Sequence, residues 1–207
     1  GYHGSEINTP HIDALVSEGV ELNRFYTFPL CSSTRKALLT GRNPIRMGIG
    51  NPVHEDESRS LPLDEHLMSQ TFKAAGYQTF VVGKWHLGGF VDPAHLPLQR
   101  GFDHHYGFLA GGVDYYNHTN KPDGMTTVTD WYRNGELVEE EGYSTFLFAD
   151  EAIALFAGIT DSSVLGAFEP ADNNGFDRWN SALPSTDPER MLDFFRGELT
   201  RRNVTDE

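Results

Sequence analysis

Gly76-Tyr77-Gln78-Thr79-Phe80-Val81-Val82-Gly83-Lys84-Trp85-His86-Leu87-Gly88 decides the fold of this chain. Tyr77 to Val82 is rich in β-branched and aromatic residues and stands between two glycines, so it reads as a buried strand. Upstream, Leu63 to Ala75 carries apolar residues at 63, 67, 68, 72 and 75, a helical stripe that Gly76 closes. A helix–Gly–strand–loop unit belongs in an α/β fold with a mostly parallel sheet flanked by helices. Such sheets bind ligands beyond the carboxyl ends of their strands, where Gly83 to Gly88 falls. Lys84 and His86 lie two apart, so extended backbone aims them the same way and Trp85 the other. A cation and an imidazole aimed together suit an anionic ester with an oxygen leaving group.

Working towards the N-terminus, Cys31-Ser32-Ser33-Thr34-Arg35-Lys36-Ala37-Leu38-Leu39-Thr40-Gly41-Arg42 holds the only cysteine of 207 residues. A lone thiol makes no internal disulfide, and no His/Cys cluster surrounds it to bind zinc. Pro29 disfavours helix before it, the serines offer N-cap hydroxyls, and Gly41 suits a left-handed C-terminal cap. Residue 31 then stands at a helix N-terminus, where free N–H groups and the helix dipole favour an anion. Cys31 and Arg35 are four apart and share a face. A guanidinium there can neutralise a tetrahedral oxyanion. A cysteine-phosphatase loop needs five residues between Cys and Arg to wrap its phosphate; only three intervene here.

The two segments together resemble the sulfatase family. Its first signature is Cys-x-Pro-x-Arg followed by Leu-Thr-Gly-Arg, and Gly83 to Gly88 matches its second motif letter for letter. Ser33 departs from the first, standing where the family has Pro or sometimes Ala. Gly1 to Leu15 resembles the region after the family's first metal-binding loop. Arg100-Gly101-Phe102-Asp103 and Val113-Asp114-Tyr115-Tyr116-Asn117-His118 resemble the arylsulfatase B type, which includes N-acetylgalactosamine-4-sulfatases. The resemblance implies an alkaline phosphatase-like sulfatase fold, incomplete in this chain. Residues 1–157 would be part of the N-terminal α/β domain, and 158–207 a divergent loop with a terminal helix.

The implied activity is hydrolysis of sulfate esters of sugars or aryl alcohols. Cys31 would be the modified residue, oxidised to formylglycine by a formylglycine-generating enzyme. As the aldehyde hydrate it would attack sulfur and ligate calcium. Arg35 would stabilise the hydrate, Lys84 bind the sulfate, and His86 orient the hydrate and help release sulfate. His118 is a candidate sugar contact, since Asp114 to His118 would border the substrate cleft. Most calcium ligands would lie outside this chain, because the family's Asp-Asp pair would precede Gly1. A downstream His, an Asp-Asn pair and a second Lys are further family elements, and no Lys follows Lys121. Asp172-Asn173-Asn174-Gly175 reads as a turn rather than the Asp-Asn element. The resemblance also implies a secreted, periplasmic or lysosomal protein. Two other readings remain beside it: a truncated anion-binding domain without turnover, and a related phosphate- or phosphonate-ester hydrolase.

Composition is that of a globular protein, with 38% apolar and 12% aromatic residues. A formal net charge of −14 argues against nucleic acid as a partner. No stretch is long enough to span a membrane. Thr9-Pro10 opens a short helix ended by Gly19, and Val20 to Tyr26 is expected to be the strand leading to Cys31. Trp131 to Val138 reads as a hairpin turning at Asn134-Gly135, and Ser144 to Phe156 as an amphipathic helix. Residues 159–186 read as a linker, with a terminal helix from Asp187-Pro188. His104, His105 and His118 are expected at the surface of loops. Asn117-His118-Thr119 and Asn203-Val204-Thr205 are glycosylation sequons that permit a secretory route.

Overall fold

The computed structural model describes residues 1–47, 52–54, 59–121 and 125–159; the terminal helix and most of the linker lie outside them. The chain divides into two units, one of Tyr26–Glu151 and one in which Gly1–Phe25 joins Ala152–Glu207. Helix α1, Pro10–Glu18, starts at the Thr9-Pro10 signal and stops at Gly19. The Thr9 hydroxyl donates to Asp13 Oδ1 (2.9 Å) instead of accepting from the backbone. The strand expected over Val20 to Tyr26 does not form. Val20, Leu22, Phe25 and Tyr26 are exposed, and no strand among the described residues pairs with them. Without a neighbour to take its N–H groups, β propensity alone does not make a strand.

The larger unit holds the functional segments. Helix α2, Cys31–Thr40, begins at residue 31 with extended Leu30 as its N-cap. Gly41 ends it in the left-handed region (φ 66°), its N–H bonded to Ala37 O. The serines do not cap: they sit inside the first turn, buried, and Ser32 bonds to other segments. Helix α3, Met68–Ala74, is shorter than its apolar stripe, because Pro62 to Leu67 is taken up by turns and by a Gln70 side chain that accepts from Leu67 N (2.9 Å). Strand β1 is Phe80–Lys84, two to three residues later than predicted. Strand β2, His104–Phe108, pairs parallel to it in the register Phe80↔His104 through Lys84↔Phe108.

Short strands β3 (Thr119–Asn120) and β4 (Val128–Thr129) pair antiparallel with each other. Strands β5 (Tyr132–Arg133) and β6 (Glu136–Leu137) form the expected hairpin, with Asn134 and Gly135 both at positive φ (54° and 86°). Because β5 runs antiparallel to β2, the β1-β2-β5-β6 sheet is mixed within an α/β arrangement. Helix α4 runs from Ser144 to Ile159.

Alternation along β1 divides the core. Val81 packs with the cluster of Leu61, Leu67, Trp85, Leu87, Phe102 and Leu109. Val82 packs with Tyr106, Phe108 and Trp131, onto which Phe148 of α4 stacks at 4.9 Å from Trp131. The parallel pair demands glycine at Gly107: a Cβ there would stand 2.0 Å from Gly83 O on β1.

Three histidines correct the surface expectation. His104 Nε2 meets Glu151 Oε1 at 2.6 Å, and the other Glu151 oxygen accepts from Arg133. His105 and His118 are each only 1% exposed, because strand pairing and Trp131 cover them. Among the described residues, neither ring nitrogen of His105 has a hydrogen-bond partner.

Candidate active site

The start of α2 and the chain leaving β1 meet. Parallel pairing continues past the strand ends, with Trp85 N donating to Phe108 O (2.8 Å) and His86 N to Leu109 O (3.0 Å). Trp85 turns into the core and donates its Nε1–H to His95 O (3.0 Å). His86, at φ 54°, turns the other way and brings its Nδ1 within 3.2 Å of Cys31 Sγ. Its Nε2 lies 3.1 Å from Val53 O. A carbonyl only accepts, so Nε2 carries the hydrogen of the neutral ring and the Nδ1 lone pair faces Cys31.

Burial first, then the charge of Lys84 and, with smaller effect, those of Arg35 and Lys36, pulls the His86 pKa down to about 4, against the opposing hydrogen bond to Val53. The ring is therefore neutral near pH 7, and its Nδ1 lone pair can accept a hydrogen bond from residue 31. Arg35, one turn after Cys31, donates from Nη1 to Lys84 O (2.6 Å), which ties the helix to the end of β1. Lys84 Nζ donates to Gly111 O. Gly111 crowds His86: a Cβ there would lie 3.0 Å from Cε1. Cys31, Arg35, Lys84 and His86 are thus brought to one place, and the cations concentrate positive potential beside Cys31.

Two neighbours were missed in the sequence. Ser32 Oγ donates to His86 O (3.1 Å) and accepts from Val53 N (3.1 Å), clamping the segment whose carbonyl holds His86. Lys36 is fully buried, its Nζ donating to Arg59 O at 2.5 Å. Burial, then the Arg59 charge, lowers its pKa to about 8. The available signal was the four-residue spacing of 32 and 36, which gives them one helical face beside that of 31 and 35.

His118 is not brought to this group. Its ring stacks on Trp131 (4.1 Å between centroids) and its Nε2 lies 3.1 Å from Gly142 O. A ring so enclosed touches no sugar, which corrects the substrate-contact expectation. Calcium wants six or more oxygens, several of them carboxylate. Among the described residues no group of three His, Cys, Asp or Glu side chains gathers, so they do not fit that ion.

Comparison with known proteins agrees with this scaffold. The family model described as Sulfatase matches residues 1–198. Arylsulfatase J of Mus musculus is 44% identical over 161 residues, which are 76% of this chain and 27% of that protein. N-acetylgalactosamine-6-sulfatase of Mus musculus is 35% identical over 162 residues, 70% of this chain and 31% of that protein. The chain thus spans less than a third of the length of these two curated relatives. The crystal structure of a sulfatase from Pseudoalteromonas sp. shares the fold at TM-score 0.56 and 23% identity, over 93% of this chain and 46% of that one. With a match over nearly its whole length and the α/β scaffold those proteins share, the chain belongs to the sulfatase family.

Proposed function

We propose that this chain is the nucleophile-bearing part of a sulfuric ester hydrolase acting on sulfate esters of sugars or aryl alcohols. The carrying observation is the 3.2 Å contact between Cys31 Sγ and the lone-pair nitrogen of His86, beside Arg35 and Lys84. Residue 31 sits at a helix start, half-buried, with a base at its side, and so fits conversion to formylglycine. That group, hydrated, supplies one hydroxyl to attack sulfur and a second to expel sulfate. His86, neutral through its low pKa, takes the proton from residue 31 at Nδ1 while Val53 O holds its far side. Arg35 and the helix start stabilise negative charge on the residue 31 oxygen. Lys84 exchanges Gly111 O for a sulfate oxygen, a stronger, charge-assisted partner.

Calcium enters this reading only through the family, with ligands beyond these residues. Export to a secreted, periplasmic or lysosomal site is likewise inferred from the family. Among the described residues no helix is long and apolar enough to cross a membrane. The test is the mass of the peptide spanning Cys31, taken from protein made with a formylglycine-generating enzyme, together with hydrolysis of p-nitrophenyl sulfate by the longer protein. Conversion, and loss of hydrolysis in Cys31→Ala, are expected. Ser33, only 2% exposed where the family has Pro, motivates a second reading, an anion-binding domain without turnover. An unmodified thiol beside a converted Cys-x-Pro-x-Arg control would favour that reading and sink the first.

A further inference from the structure

His86 is gripped at two atoms, and Ser32 ties the two grips together. A hydroxyl has one hydrogen to give and lone pairs to accept with. Val53 N can only donate, and it donates to Ser32 Oγ (3.1 Å); the Ser32 hydrogen goes to His86 O (3.1 Å). The carbonyl of that same Val53 lies 3.1 Å from His86 Nε2. The path closes on itself: from the His86 carbonyl through Ser32 to Val53, and from Val53 back to the far side of the His86 ring. On the near side, Nδ1 meets Cys31 Sγ at 3.2 Å. Cys31 and Ser32 are adjacent in the first turn of α2. One helix start thus carries both the residue that His86 faces and the hydroxyl that aims His86 at it.

The hydroxyl does more than satisfy two backbone groups. His86 stands at φ 54°, a region that a residue with a side chain keeps only when its surroundings impose it, and the Ser32 bond to its carbonyl helps to do so. Ser32, Val53 and His86 are all buried. Alanine at 32 would strand Val53 N and His86 O where water does not replace the hydroxyl. Their relief is for the Val53 segment to move off, and Val53 O then leaves Nε2. A neutral imidazole released from that carbonyl carries its hydrogen on either nitrogen.

We infer that Ser32 is a positioning residue: by holding Val53 against His86 it keeps the ring hydrogen on Nε2 and the Nδ1 lone pair towards residue 31. Its part in turnover rests on the sulfate-ester reading of the Cys31–His86 pair, whereas the positioning is measurable on this chain alone. Ser32→Ala removes one oxygen and adds no bulk. Long-range proton–nitrogen correlation spectra at pH 8 should place the His86 hydrogen on Nε2 in the unsubstituted chain and share it between both nitrogens in Ser32→Ala. Ser69→Ala is the control, because Ser69 is likewise buried in a helix and donates to a backbone carbonyl, Arg100 O (2.6 Å). It should lower stability and leave the His86 nitrogen signals in place. In the longer protein, kcat on p-nitrophenyl sulfate, counted per converted residue 31, should fall about tenfold in Ser32→Ala, the scale of one hydrogen bond, with KM nearly unchanged. His86 signals in Ser32→Ala that match the unsubstituted chain, or that Ser69→Ala moves as much, overturn the positioning role. Moved signals with an unchanged kcat spare that role and overturn His86 as the base of the proposed reaction.

Discussion

Mild acid should unfold this protein through two buried imidazoles, and the loss can be divided between them. His86 and His105 are 6% and 1% exposed, and burial is the first cause that takes each from 6.5 to about 4. His105 faces the charge of His104, and His86 those of Lys84, Arg35 and Lys36. A histidine whose folded pKa is depressed binds its proton more readily in the unfolded chain. Stability is then whole above pH 6.5 and falls as the pH drops towards 4. At pH 5 an unfolded histidine is almost fully protonated and these folded ones are not, which removes about 2 kcal/mol for each and about 4 kcal/mol together. Against a domain stability on the order of 5–15 kcal/mol that is a large share. Carboxylates held below their ordinary range, such as Asp103 and Glu140, begin to count only at lower pH. Urea unfolding followed by tryptophan fluorescence at pH 7 and pH 5 measures the loss. His105→Phe keeps the ring shape and removes two nitrogens that have no partner among the described residues. It should halve the acid-induced loss and also raise stability at pH 7. The same loss between pH 7 and pH 5 in His105→Phe as in the unsubstituted chain would refute this account.

Lys36→Met should flatten the stability profile at high pH: a lysine lowered from 10.5 to about 8 makes the unsubstituted fold gain about 3 kcal/mol between those values. Removing its charge should also raise the His86 pKa, read from the imidazole proton shifts on titration. Gly107→Ala should cost on the order of 3 kcal/mol in urea unfolding, since its Cβ would meet backbone at 2.0 Å. Gly112→Ala, with no heavy atom within 4 Å of its Cβ, should cost less than about 1 kcal/mol.

What local chemistry encodes was legible. Helix α2 with its Gly41 cap, the Asn134-Gly135 hairpin and the start of α4 at Ser144 all depend on a few adjacent residues. Burial depends on partners far along the chain, and there the sequence misled. His118 and His105 looked like loop surface, because nothing adjacent announces Trp131 above one or the strand neighbours around the other. A serine at a helix start looks the same whether its hydroxyl caps its own backbone or, like Ser32, joins two distant segments. Lys36 defied the rule that lysines face water, since a carbonyl, Arg59 O, receives its ammonium inside. Val20 to Tyr26 has strand composition, but a strand is a relation between segments and not a property of one. At the site, alternation correctly separated Lys84 and His86 from Trp85, while the approach of Cys31 to His86 came from chain pairing that periodicity does not contain.

The four polar atoms of His86 have consequences beyond acid and base. Its N–H, its carbonyl and both ring nitrogens meet Leu109, Ser32, Val53 and Cys31 respectively. A ring flip would trade both ring hydrogen bonds for contacts to carbon, so the imidazole has one orientation rather than two. In the proposed reaction the entropy of aiming it is surrendered once, when the chain folds, and would not recur with each turnover. Substitutions that loosen any of the four segments should therefore lower rate through activation entropy while leaving activation enthalpy nearly unchanged.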